Sequence, residues 1–166
     1  MTDGGRDRVS GADLERAGTG FLARWAVVVE TEASPSDIGA DGRPLQETVL
    51  RWFEEARQVY LEGCPALREE IRCHHVRLLV DDVRIVPTGP IEPRQTILIA
   101  VTVTELRRSS FDMALRLRSL GDTGMIVAGG SCVLVIVDPK CHTPLTLSDG
   151  VRHDVLALES EASDYC

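Results

Sequence analysis

The alternation of apolar and polar residues predicts β-strands over most of the second half of the chain. Between residues 95 and 107, Ile97, Ile99 and Val101 fall on one side of an extended backbone and the residues between them on the other, because successive side chains of a strand point to opposite faces. The same signal, or a short run of β-branched residues, predicts further strands over 23–30, 76–87, 110–120 and 125–137.

The apolar period changes to that of an α-helix after Pro44. Two stripes recur at helical spacing between Leu45 and Gly63, so the helix is apolar on most of its circumference and is expected to be buried. Pro44 suits the first turn, and Gly63 followed by Pro65 predicts the end. The stripes consist of Leu50, Phe53, Tyr60 and Leu61, and of Val49, Trp52, Ala56 and Val59.

One strand, one long helix and four more strands predict an α+β fold. A helix that is apolar nearly all round needs a curved sheet about it, so we expect an antiparallel sheet of five to six strands wrapped around one long central helix. Residues 121–124 predict a hairpin turn, and Gly129 with Gly130 predicts a β-bulge. We divide the chain into a mobile N-terminal segment (1–20), a folded domain (21–150) and a polar C-terminal tail (151–166).

Charge and hydropathy exclude some classes of partner. The 166 residues carry a formal net charge of −8 and have a pI of about 5.0, which argues against nucleic acid, since phosphate backbones bind basic surfaces. No apolar run approaches the roughly 18 residues of a membrane span. Residues 1–20 lack the apolar core of a signal peptide, so a cytoplasmic protein is expected.

The cysteines and histidines do not form a recognisable metal-binding pattern. The five cysteines include no C-x-x-C pair, so neither a zinc site nor a disulfide framework is predicted. Adjacent residues such as Cys73-His74 or Cys141-His142 point to opposite faces of a strand and rarely share an ion. We therefore expect no metal, no cofactor and reduced thiols.

The segment that leads into the helix carries the most specific motif. Asp37, Gly42 and the run Phe53-Glu54-Glu55-Ala56-Arg57 match D-x-D-x-x-G-H-V-N-N followed by F-E-E-A-R. This motif resembles that of hotdog-fold acyl-CoA thioesterases of the 4-hydroxybenzoyl-CoA thioesterase type. The resemblance covers about residues 23–147, including the corner at Arg107–Phe111.

This chain departs from the motif at the residue that is catalytic in the family. Gly39 stands where the second Asp serves as base or nucleophile. Arg43 stands at the His position, and Leu45 and Gln46 replace the Asn pair. The resemblance implies a hotdog fold and thioester hydrolysis, with the backbone N–H of Gln46 polarising the thioester carbonyl at the helix N-terminus.

Another carboxylate has to replace the missing one, and four lie near: Asp37, Asp41, Glu47 and Glu54. In the other branch of hotdog thioesterases the base is a Glu about two turns past the oxyanion amide, and eight residues beyond Gln46 is Glu54, which is therefore the first choice for the catalytic carboxylate. Its side chain is expected to lean toward the helix N-terminus. The simpler interpretation is an ion pair with Arg57. Asp37 and Asp41 equally suit turns, and Glu47 suits a first helical turn.

The resemblance also implies a surface site for the phosphates of coenzyme A. Arg94, Arg107 and Arg108 are the candidates, with Ser109 beside them at the same corner, because Arg forms bidentate contacts to phosphate. Solvated strand ends explain such arginines equally well. Ser109 has no His–Asp partner nearby in sequence, which disfavours a serine triad.

These observations predict an acyl thioesterase for an acyl-CoA or acyl-carrier-protein substrate, active as a homodimer or a dimer of dimers. The alternative is a non-catalytic hotdog protein that binds an acyl thioester or serves as a structural subunit, which Gly39 favours. A hotdog dehydratase ranks last, because Arg43 occupies the position of the histidine it needs.

Overall fold

Five antiparallel strands form one sheet in the order β1-β3-β4-β5-β2. The computed structural model describes residues 25–121 and 124–160. The α+β class and the single sheet beside a long helix are confirmed. The strands are β1 (Val27–Glu32), β2 (Arg77–Pro87), β3 (Thr96–Leu106), β4 (Ser110–Ser119) and β5 (Ile126–Val137), and the helices are α1 (Gln46–Glu62), α2 (Pro65–Arg72) and α3 (Asp149–Ser160).

Helix α1 lies in the concave face of the sheet. It packs against β1 and β2, which are the two edge strands, and against β3, so the sheet curves around it. Its buried side chains include Trp52, Phe53 and Tyr60. The helix was expected to be buried, but within a single chain one stripe of α1 is exposed: Glu47, Leu50, Arg51, Glu54 and Gln58.

Two short helices were not predicted. Pro65 ends α1 as expected, but it is also the first residue of α2, where a missing N–H costs nothing. Helix α3 occupies much of the segment predicted as a polar tail and buries Val151 and Val155. Its Asp154 accepts a hydrogen bond from the amide of Ala66 at the start of α2, at 2.8 Å.

The predicted bulge at Gly129 and Gly130 is absent from the described strands, although β5 gains a residue nearby at Val127, between the partners of Leu117 and Arg118. The β5 ladder runs through Gly129 and Gly130 without a shift, whereas β2 gains a residue between Asp81 and Arg84. A Cβ on Gly130 would lie 2.5 Å from the carbonyl oxygen of Arg84. Gly130 therefore permits the close approach of the bulged neighbour.

The predicted mobile segment 1–20 and the last residues of the predicted tail, 161–166, lie outside the described residues. Within the described ranges, no helix is both long and apolar enough to cross a membrane.

Candidate active site

A small hairpin-like loop precedes helix α1. Ile38 and Pro44 form an isolated antiparallel bridge, and the amide of Gly39 donates to the carbonyl of Arg43 at 2.8 Å. Gly42 closes the turn with a φ of +77°, a conformation that glycine adopts without strain. The loop thereby holds its tip beside the start of the helix.

The first turn of α1 presents unused backbone donors. Leu45 is the N-cap, and its apolar side chain cannot cap the helix. Among the hydrogen bonds of residues 25–121 and 124–160, none uses the amides of Gln46, Glu47 or Thr48. Because helix N-termini carry a partial positive charge, these amides can bind a carbonyl oxygen or an oxyanion.

The carboxylate of Asp41 occupies the space into which a side chain at position 39 would extend. A Cβ built on Gly39 would lie 3.0 Å from Oδ1 of Asp41 and 3.3 Å from Cδ2 of Leu45. The exposed side chain of Asp41 thus reaches the region that a side chain at position 39 would enter, next to the helix N-cap. It also accepts a hydrogen bond from the amide of Arg43 at 3.1 Å.

Asp37 has a different environment, because it is 4% exposed and its carboxylate is saturated with donors. Oδ2 accepts from the amide and the hydroxyl of Ser34 at 2.8 and 2.9 Å. Oδ1 accepts from Arg51 at 2.6 Å and from the hydroxyl of Thr48 at 3.3 Å. Burial alone would raise the pKa of Asp37, but the hydrogen bonds from Ser34 and Arg51 outweigh it and hold the pKa below the ordinary value. The group stays ionised and is poorly placed to accept a proton.

Glu54 lines a cleft of about 500 Å³ between α1 and β2. Its carboxylate pairs with the buried guanidinium of Arg57 and accepts from Gln58 at 3.2 Å. Both partners lie toward the C-terminal end of α1, so the expectation that Glu54 leans toward the N-terminus was wrong. Eight residues also separate Glu54 from Gln46, which is about 12 Å along the helix axis.

The cleft beside Glu54 has largely apolar walls. Arg57 is buried against Phe53, with its guanidinium carbon 6.0 Å from the ring centre. Such a cleft suits an apolar acyl group. Besides Glu54 and Arg57, the lining residues are Gln58, Leu61, Ile71, His74, Val76, Arg77, Leu78, Val80 and Pro139.

The candidate phosphate-binding arginines lie at two different ends of the molecule. The amide of Arg94 donates to Ala33, and the nearby Ile91 donates to Gly42, which places Arg94 with the loop before α1. Arg107 and Arg108 belong to the β3–β4 corner, whose backbone carbonyls accept hydrogen bonds from Arg152 of α3.

Arg94 precedes the 11-residue strand β3 and Arg107 follows it, so within one chain the β3–β4 corner lies at the opposite end of β3 from the loop before α1. Arg107 is also paired with Glu105 and Asp112 at 3.1 and 2.9 Å, and Arg108 donates to Thr146 at 3.2 Å. Ser109 at the same corner accepts a hydrogen bond from the amide of Ile136 through its carbonyl.

Glu47 is exposed in the first turn, where a negative charge suits the helix dipole.

Within the described ranges, no three His, Cys, Asp or Glu side chains are grouped to hold a metal ion. Four cysteines there are free, with Cys64 and Cys132 buried and Cys73 and Cys141 exposed. Burial raises the pKa of the Cys64 thiol to about 12.

Comparison with solved structures identifies the fold. A thioesterase-superfamily protein from Jannaschia sp. CCS1 matches with a TM-score of 0.73 and 18% identity, over 93% of this chain and 94% of that one. A thioesterase from Thermus thermophilus, complexed with coenzyme A and zinc, matches with a TM-score of 0.67 and 23% identity, over 82% and 97%. A 1,4-dihydroxy-2-naphthoyl-CoA thioesterase from Synechocystis matches with a TM-score of 0.67 and 15% identity, over 77% and 93%.

No protein-family model matches the chain, and no curated protein matches its sequence. At these identities the structural matches establish the hotdog fold. The activity rests on the chemistry of the site.

Sequence reasoning missed the partners that fix the loop to the helix. Ser34, Thr48 and Arg51 surround Asp37, yet none stands out by type or spacing. Thr48 and Arg51 are three positions apart in the helix and therefore share a helix face. That spacing was the available signal.

Proposed function

We propose that the protein is an acyl thioesterase that hydrolyses an acyl-CoA or acyl-carrier-protein thioester with water as acceptor. The observation that carries this proposal is the uncapped start of α1, with open amides at Gln46, Glu47 and Thr48. Oriented backbone donors in such a position stabilise the oxyanion of an acyl-transfer reaction, and losing one typically slows catalysis about 10²- to 10³-fold.

In the reaction that we propose, the thioester carbonyl oxygen accepts a hydrogen bond from the amide of Gln46. Asp41 takes a proton from water as the water oxygen attacks the carbonyl carbon, which gives a tetrahedral oxyanion held by the amides. The carbon–sulfur bond then breaks, the leaving thiolate takes the proton from Asp41, which regenerates the carboxylate, and the carboxylic acid is released. The position of the Asp41 carboxylate beside the helix start supports this role.

Glu54 is the alternative base, and we propose that it would act across a subunit interface. Its carboxylate points toward Arg57 and Gln58 and away from the first turn of its own helix. A homodimer could bring it to the first turn of another copy. Edge strand β2 is the candidate interface, because Val80, Val83 and Val86 are 42%, 41% and 60% exposed and open strand edges invite pairing.

We further propose that an arginine of the protein binds the phosphates in the nucleotide part of coenzyme A. Arg94 lies at the helix-start end, so it is the first candidate for the phosphates, and Arg107 with Arg108 would have to act from another subunit. Arg94→Glu should raise KM for acyl-CoA and leave KM for an acyl-pantetheine unchanged. Equal KM effects on both substrates would exclude a nucleotide role.

We also propose a cytoplasmic location, which the free thiols of the described part support.

The decisive experiment is thiol release from a panel of short, medium, long and aromatic acyl-CoA and acyl-carrier-protein substrates. We expect turnover of at least one substrate class. Binding without turnover would favour the non-catalytic alternative, which the lack of a carboxylate at Gly39 supports. Gly39→Asp then gives a second test, because activity gained only in that variant would show that the natural chain is a binding protein.

A further inference from the structure

Asp37 connects the loop before α1 to the first two turns of the helix. Its carboxylate binds Ser34 on the loop side and both Thr48 and Arg51 on the helix side. Its carbonyl accepts from the amide of Leu45, the N-cap, at 2.9 Å. One buried residue therefore fixes the entry into the helix by contacts on both sides.

The donors to this carboxylate include no amide of the helix itself. An acidic cap commonly accepts from the second or third helical amide, which would occupy the groups that a carbonyl substrate needs. Here the helix-side donors are the hydroxyl of Thr48 and the guanidinium of Arg51. The negative charge supports the helix start while the amides of residues 46–48 stay open.

Asp37 is also unsuited to proton transfer. A carboxylate accepts about four hydrogen bonds, and Asp37 receives four: two from Ser34 and one each from Thr48 and Arg51. A water molecule poised for attack would have to displace one of these donors.

From this geometry we infer that Asp37 is a positioning residue, which aligns the open amides of the first turn with the substrate carbonyl without contacting the substrate. The inference rests on the proposed thioesterase activity. It predicts a defect in kcat with little change in KM, because a shift of about 1 Å in a catalytic group can cost about 100-fold in rate.

The test uses Asp37→Asn in the full-length chain, with the best acyl-CoA substrate of the wild-type protein. The amide keeps the shape of the carboxylate but loses its charge and presents donors to Arg51 and Ser34. We expect kcat to fall about 10- to 100-fold, KM to change less than about threefold, and the midpoint of the pH–rate profile to stay where it is. Glu69→Gln is the matched control, because it breaks an exposed ion pair with Arg72 elsewhere, and its kcat should equal that of the wild type.

Two further variants keep the test informative if Asp37→Asn does not fold. Arg51→Met and Thr48→Val each remove one donor and leave the carboxylate in place. Each should lower kcat and leave the pH–rate midpoint unchanged. Wild-type kcat in both variants would overturn the inference.

The remaining outcomes separate the two proposals. An active wild type with an unchanged kcat in Asp37→Asn would overturn the positioning role alone. Loss of the acidic limb of the pH–rate profile in Asp37→Asn would make Asp37 the base and would also overturn it. A wild-type protein that hydrolyses no thioester in the panel would defeat the proposed function, and the positioning role with it.

Discussion

The hydroxyl of Tyr60 donates a hydrogen bond to the carboxylate of Glu159 at 2.7 Å, which joins the central helix to the last one. The same carboxylate accepts from the hydroxyl of Thr102 and from the amide of Val103, the latter at 2.7 Å. Strand β1 begins at Val27, opposite Val101, so β3 continues past the end of its neighbour. Glu159 thus supplies an acceptor where the β1 ladder stops.

We expect Glu159→Gln to destabilise the fold by about 1 to 3 kcal/mol, because buried donors that lose an anionic acceptor are costly. Urea denaturation followed by Trp fluorescence would measure the free energy of unfolding. Leu156→Ala is the matched control on the same helix, since Leu156 is 58% exposed, and it should cost less than about 0.5 kcal/mol. Equal losses in both variants would refute the role of Glu159.

Gly130→Ala and Gly129→Ala form a second matched pair. An added Cβ at Gly130 would meet the Arg84 carbonyl oxygen at 2.5 Å, whereas at Gly129 the nearest atom is 3.9 Å away. We expect Gly130→Ala to cost about 1 to 3 kcal/mol of unfolding free energy, as overpacking does, and Gly129→Ala to be close to neutral. A neutral Gly130→Ala would contradict the close approach of the bulged strand.

We expect the free energy of unfolding to depend on pH through the ionisation of Asp37. Its pKa in the folded chain lies below the ordinary value of 3.8, so its ionised form stabilises the fold above that value and the benefit disappears as the pH falls through the folded pKa. Between about pH 5 and 2, the wild type should lose more unfolding free energy than Asp37→Asn does. Parallel pH profiles of the two proteins would show that Asp37 is not linked to folding.

The sequence was sufficient to predict the central helix and the strands because their apolar periods are long and regular. The helices that it did not predict are short or mostly polar. Val151, Val155 and Leu158 recur at helical spacing in α3, so a signal was present, but polar neighbours obscured it. The bulge of β2 depends on its contact with β5, which is distant in sequence, and the glycine pair marks only β5.

The candidate site was predicted unevenly for a similar reason. The helix start that the motif indicated has open amides, because Leu45 cannot cap it. The direction of Glu54 depends on which neighbour it pairs with, and the spacing of the motif allowed either. Arg94 and the Arg107–Arg108 corner flank the predicted strand 95–107, so they lie at its two ends. Which of these ends lies beside the start of α1 depends on how the sheet is connected, which local sequence does not specify.

The proposed activity is tested most directly by the turnover number of Asp41→Asn beside that of the wild type, measured as thiol release under saturating substrate. Asp149→Asn is the matched control, because it makes the same change at an exposed residue at the start of α3, away from the loop before α1 and from β2. We predict that Asp41→Asn lowers kcat by about 10²- to 10⁴-fold, the usual contribution of a general base, and that Asp149→Asn has no effect. Unchanged turnover in Asp41→Asn, with the loss appearing in Glu54→Gln instead, would contradict the account.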